Sequence, residues 1–166
     1  MVILGLDPSL TATGYGCIAA RGGRLEFLAA GTIRPPARRP MAERLLHLHQ
    51  ELARVIDTHH PDTTAIEGIY THYERLTTAA LLAHARGVCC LTSAMAGVPV
   101  VDYLPTRVKK SLTGAGHASK TQVARAVEGW LGVAHDASWS SDATDALALA
   151  IAHAHISRAR VGALVR

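Results

Sequence analysis

At 166 residues the chain has length for one hydrophobic core, and it is read as a single domain spanning residues 1–166. Hydrophobic residues supply 49% of it and aromatics only 4%, which excludes a disordered chain and predicts a core of closely packed Ala, Leu, Val and Ile. A net charge of +4 points to a polyanionic partner, while the opening apolar run lacks a basic leader and no segment approaches about 18 unbroken apolar residues, so a cytoplasmic protein without signal peptide or membrane span is expected.

The first third predicts a meander of strands at 2–7, 13–20 and 25–34, with Arg21-Gly22-Gly23-Arg24 as a tight hairpin turn. Gly5, Gly14 and Gly16 interrupt those strands, which marks a bulge or the close approach of another backbone or a ligand. Met41, Leu45, Leu48, Leu52 and Val55 recur at spacings of four and three, an amphipathic helix ending before His60-Pro61. A fourth strand follows at 63–67, then a polar loop from Gly68 to Glu74. The segment from Leu76 to about Ala96 predicts a long Ala/Leu-rich helix, loosened at Gly87, whose apolar content extends most of the way round. Such a helix must be covered on more than one side, as a core helix or in a dimer interface. A fifth strand is expected at 98–103, a short helix from Pro105 to Leu112, a helix capped by Ser119 to about Trp130, and a last helix capped by Ser140 or Ser141. The order predicts an α/β fold with a mixed five-stranded sheet and helices on both faces.

Four carboxylates stand out against this frame. Asp7 and Glu67 each end an apolar strand, and Asp142 and Asp145 lie three apart where the last helix begins, on one helix face. Any one of them alone is explained by solvation at a strand end or by the positive end of a helix dipole. Together they are the ligand set of a magnesium site, because an ionised carboxylate leaving water needs a cation to offset its desolvation. The three lysines, Lys109, Lys110 and Lys120, fall in a stretch from Tyr103 to Val127 that contains no acid. Taken alone this is a solvated helix face; beside a carboxylate cluster it is a grip for a phosphate backbone. His47 and His49, like His153 and His155, are two apart and point to different helix faces, and the three cysteines lack metal-ligand spacing, so zinc is not expected.

Five blocks, GLDPSLTATGYG from Gly5, AIEGIY from Ala65, ARGV from Ala85, RVKKSLTGAGHASKTQV from Arg107 and DATDALALAIAHAH from Asp142, resemble in order the conserved blocks of RuvC, the bacterial Holliday-junction resolvase family. The resemblance implies a ribonuclease-H-like fold, a homodimer, and paired symmetric nicking of four-way DNA junctions in recombination and repair. It also implies two Mg²⁺ ions per active site, with Mn²⁺ able to substitute, products with 5′-phosphate and 3′-hydroxyl ends, and coupling to the RuvA–RuvB branch-migration complex. Residue by residue, Asp7, Glu67, Asp142 and Asp145 match the family's metal-binding acids, and Lys109 and Lys120 match basic residues near the cleaved strand. Tyr70 stands where the family usually has a phenylalanine that stacks on junction bases; Ser9 for glycine and Gly68 for a polar residue are further departures. Two other readings share some of these features: a nuclease of structured RNA on the same fold, and a junction-binding module without catalysis. An actin-like ATPase needs two such domains, for which this chain is too short.

Overall fold

In the computed structural model, which describes residues 1–68, 76–133 and 139–164, β1 (Val2–Asp7), β2 (Thr13–Arg21) and β3 (Arg24–Ile33) form the expected meander. Arg21 pairs with Arg24 across Gly22 and Gly23, whose φ of 56° and 84° are the left-handed values a two-residue turn of this kind requires. Helix α1 (Met41–His59) is followed by β4 (Thr63–Glu67), α2 (Leu76–Met95), β5 (Val100–Tyr103), α3 (Pro105–Thr113), α4 (Lys120–Leu131) and α5 (Ser141–Leu164). The sheet order is β3-β2-β1-β4-β5. β1, β2 and β3 pair antiparallel, and β4 runs parallel to both β1 and β5.

Strand alternation decides which side of the sheet each residue serves. Leu4, Leu6, Cys17 and Ile66 pack with Leu48, Leu52 and Ile56 of α1 and Ala85 and Cys89 of α2. Ile3, Ile18, Ala65 and Tyr103 face the other way and pack with Leu147, Ile151 and other residues of α5, and with Val108, Val123 and Val127 of α3 and α4. Ile3, Ile18, Leu147 and Ile151 are wholly buried, each contributing about 1.5–3 kcal/mol by leaving water. Asp7 shares its parity with Ile3 and Gly5, and Glu67 with Ala65, so both acids end their strands on the α5 side of the sheet.

The strand glycines serve helix packing rather than a ligand. A side chain at Gly5 would overlap the carbonyl oxygen of Ala146 and stand 2.9 Å from the amide of Ala150. One at Gly14 would overlap the carbonyl of Asp142, and at Gly16 a Cβ would lie 2.7 Å from Cδ2 of Leu147. The backbone of α5 therefore lies directly on β1 and β2, closer than any residue with a Cβ allows.

Boundaries differ where one residue's chemistry overrides a pattern. The fifth strand begins at Val100 rather than Val98, because the Val98 amide closes the end of α2 on Ser93 O and Pro99 has no amide to give, although its carbonyl accepts from Thr64. Helix α2 runs unbroken through Gly87. Ser119 caps α4 in a reciprocal box with Gln122, and Ser140 Oγ accepts from the Ala143 amide at the head of α5.

Candidate active site

β1 and β4 are parallel neighbours whose last paired residues are Leu6 and Ile66, so Asp7 and Glu67 follow side by side at the carboxyl ends of the central strands. Sites in open α/β sheets form at these strand ends, where backbone and side chains emerge from the core together. Helix α5 enters over the same ends, seated by Gly5, Gly14 and Gly16, and brings Asp142 and Asp145 with its first turns. A hydrogen bond of 2.6 Å between Thr32 on β3 and Ser140 fixes where that helix starts.

Asp7, Glu67 and Asp145 line one cavity of about 360 Å³, together with Lys109 of α3 and Lys120 of α4. Its floor is apolar: Pro105, Val108, Val123, Ala148 and Leu149. That floor is the reason the acids are held away from their ordinary ionisation. Burial, reinforced by the charges of Asp145, Glu67 and Asp142, pushes the Asp7 carboxyl up to about 7. Burial and Asp145 likewise raise Glu67, with Lys109 and Lys120 opposing. Asp145 is raised by burial and drawn back by Lys120, whose Nζ stands 3.5 Å from its Oδ2. Asp142 does not line the cavity, yet its charge reaches Asp7 and Asp145.

Lys120 is 80% exposed, so its ammonium is tethered to the cluster by charge and not by packing. Lys109 is half-buried in the cavity wall, whereas Lys110, one residue further round α3, is exposed and outside the lining. Tyr70 lies outside the described residues. Among the described residues no three His, Cys, Asp or Glu side chains are gathered into a ready metal-binding group, and the ammonium of Lys120 faces Asp145 instead. The donor set still fits a hard divalent ion: Asp7, Glu67 and Asp145 are each raised by burial and by a neighbouring acid's charge, and a shared cation relieves both costs.

The sequence assigns no role to the other residues that brace these elements. Arg86 of α2 donates from Nε to Glu67 O at 3.3 Å and pairs with Asp102 of β5, clamping the end of β4 from the α2 side. Tyr103 of β5 and His153 of α5, hydrogen-bonded at 2.9 Å, are both buried and tie α5 to the edge of the sheet. Arg86 falls within the ARGV block, a signal of sorts; its clamp depends on the parallel pairing of β4 with β5.

Comparison with known proteins bears on this geometry. The family model described as crossover junction endodeoxyribonuclease RuvC matches residues 3–153. The chain belongs to the RuvC family. A RuvC of Azorhizobium caulinodans is 46% identical over 153 residues, 92% of this chain and 89% of that one. One of Bradyrhizobium diazoefficiens is 44% identical over 92% of this chain and 86% of its own length. The structure of Thermus thermophilus RuvC in complex with Holliday junction substrate superposes with a TM-score of 0.90 at 34% identity, covering 96% of each chain. The expected five-stranded ribonuclease-H-like architecture is that of this family, and more distant likeness in fold extends to the yeast mitochondrial Holliday junction resolvase Ydc2, with a TM-score of 0.63 at 10% identity.

Proposed function

We propose that the chain is a metal-dependent endodeoxyribonuclease that resolves four-way DNA junctions by paired symmetric nicks, with the whole machinery in one domain. The observation that carries this reading is the cavity at the strand ends, where three carboxylates from β1, β4 and α5 meet two lysines from α3 and α4. A family relative with the same fold is known in complex with a Holliday junction substrate. Asp7, Glu67, Asp142 and Asp145 would hold two Mg²⁺ ions, with Mn²⁺ as a substitute. When bound, such ions supply an activated water and neutralise charge on the leaving 3′ oxygen. Lys109 grips the scissile strand from the cavity wall, and Lys120 swings from Asp145 to the phosphate as DNA enters. The apolar floor excludes bulk water, which strengthens every charge interaction at the phosphate. Tyr70, just past the catalytic strand, stacks on an unpaired junction base. Lys110, exposed beside Lys109, adds a phosphate contact outside the cavity.

Two equal cuts need two equivalent sites related by a twofold axis. Helix α2 supports a homodimer: Ala85 and Cys89 seat it on the core, while Leu91 and Met95, 59% and 69% exposed, continue a stripe through His84 and Gly87 on its outer face. In the cell, coupling to the RuvA–RuvB complex follows the family reading. No helix among the described residues is long and apolar enough to cross a membrane, which accords with a cytoplasmic enzyme. The test is a labelled synthetic four-way junction incubated with protein and Mg²⁺, beside linear duplex and structured RNA. Paired 5′-phosphate nicks confined to the junction are expected; equal cutting of linear duplex, or preference for RNA, refutes the assignment.

A further inference from the structure

At the other end of the sheet lies a second concavity that the reaction does not use. It measures about 850 Å³ and opens where β1 begins, between the β2–β3 hairpin, the end of α4 and the outer half of α5. Its walls are Leu25, Leu131, Ala154 and the ring of Trp130, which is 49% exposed. That ring is held in place: Nε1 donates to Leu112 O at 3.2 Å, and the indole packs edge-on against His155 with centroids 4.4 Å apart. Arg24 and Arg158 stand at its mouth, both exposed, and among the described residues no Asp or Glu lines it. Neither arginine belongs to an ion pair among the described residues. A second hollow of about 470 Å³ shares Arg24, Leu25 and Leu131 with the first and runs on over Phe27 and Val133, with Arg21 and Glu26 at its edge. The two together form a groove with two apolar seats and a cationic rim.

We propose that this groove docks an extended segment of a partner protein in which apolar or aromatic side chains alternate with carboxylates. The linked seats fit two side chains of an extended peptide, which stand about 7 Å apart at alternate positions, better than one compact small molecule. Charge complementarity sets the sign: among the described residues the groove carries three arginines outside any ion pair and the single acid Glu26, an excess that selects an acidic chain. A nucleic-acid backbone would satisfy the arginines and leave Leu25, Leu131 and the indole face of Trp130 unmatched, so the apolar lining favours protein. β1 runs the length of the sheet between this groove and Asp7, a distance of about 20 Å at ~3.3 Å per residue. An occupant therefore leaves the catalytic cavity open, and docking and cleavage can proceed on the same molecule.

The experiment measures fluorescence anisotropy of labelled peptides of about ten residues, long enough at ~3.3 Å per residue to span both seats. One probe carries two tryptophans among glutamates; a second replaces the glutamates by lysine, and a third replaces the tryptophans by serine. The full-length protein should bind the first at least about tenfold more tightly than either control. Arg24→Glu combined with Arg158→Glu, both at exposed sites, should weaken that binding about tenfold while the cleavage rate stays unchanged. Trp130→Ala should weaken it too, and Trp130→Phe, which keeps a ring in the wall, should restore most of it. Equal affinity for the three probes, or binding unaffected by the double variant, overturns the proposal. So does competition by linear duplex DNA that is itself lost in the double variant, since that outcome assigns the groove to nucleic acid.

Discussion

Replacing Asp7 by Asn should make the metal-free protein more stable, and by an amount that grows with pH. The Asp7 carboxyl is pushed from its ordinary 3.8 to about 7, first by burial and then by Asp145, Glu67 and Asp142. The native state therefore keeps a proton that the unfolded chain releases, so the unfolded state binds fewer protons between those two values and stability falls as pH rises through that window. Above pH 7 the full penalty stands, about 4 kcal/mol at 1.36 kcal/mol per unit. Asn carries no charge and keeps the shape, but its amide needs partners, which returns about 1 kcal/mol. A net gain of about 1–3 kcal/mol at pH ~8 is expected, and the advantage over wild type should shrink by about 2–3 kcal/mol on going to pH ~5, where the penalty is only partly developed. Urea unfolding in the presence of a chelator, at both pH values, measures this. Adding Mg²⁺ should then stabilise the wild type and raise the Asn variant far less, reversing part of the gap. An Asn variant no more stable than wild type at pH ~8, or a difference flat with pH, would refute the view that Asp7 is held in electrostatic strain for a cation.

Gly14→Ala should lose about 1–3 kcal/mol or more in urea unfolding, because the new methyl overlaps the carbonyl of Asp142, and its cleavage rate at saturating protein should fall as α5 lifts off β2. Gly87→Ala, which meets nothing within 4 Å, should by contrast leave cleavage intact or impair it only through dimer assembly seen by sedimentation, and should gain up to about 1 kcal/mol of helix stability. Lys120→Ala should lower the slope of log K against log salt by about 0.9 and slow single-turnover cleavage; unchanged slope and rate would return the residue to a solvated face. Tyr70→Ala should cost roughly 1–3 kcal/mol of affinity for the junction and little for linear duplex, with Tyr70→Phe nearly silent, as titration of both DNAs can check.

The parts of this molecule that a sequence discloses are those governed by local rules. Two glycines between two arginines made a hairpin, Ser119 three residues before Gln122 made a cap, and heptad-like spacing from Met41 to Val55 made α1. The four acids drew notice for a different reason: each alone has an ordinary explanation, and only their combination at two strand ends and one helix start suggested a cation site. The strand glycines were readable only as a disjunction, since a missing Cβ admits a ligand or a helix equally; packing of α5 on Gly5, Gly14 and Gly16 decides for the helix. The ARGV block marked Arg86 without giving its role, because its partners Glu67 O and Asp102 come from β4 and β5 and meet only once the sheet is assembled.

The same contact explains how function and stability are joined here. α5 can carry Asp142 and Asp145 to the strand ends only by lying against bare backbone, so any Cβ that lifts the helix moves the acids with it. The acids in turn resist that approach, since Asp7 is destabilised by both of them as well as by burial. What opposes the repulsion is the apolar seam in which Ile3 of β1 and Ile18 of β2 pack with Leu147 and Ile151 of α5, all wholly buried. Burial of these four side chains favours the seated helix and acts against the repulsion among the acids. The end of α5 that carries Asp142 and Asp145 is therefore held by packing further along the helix, and a cavity there, as in Ile151→Ala, should weaken the proposed metal binding as well as the fold.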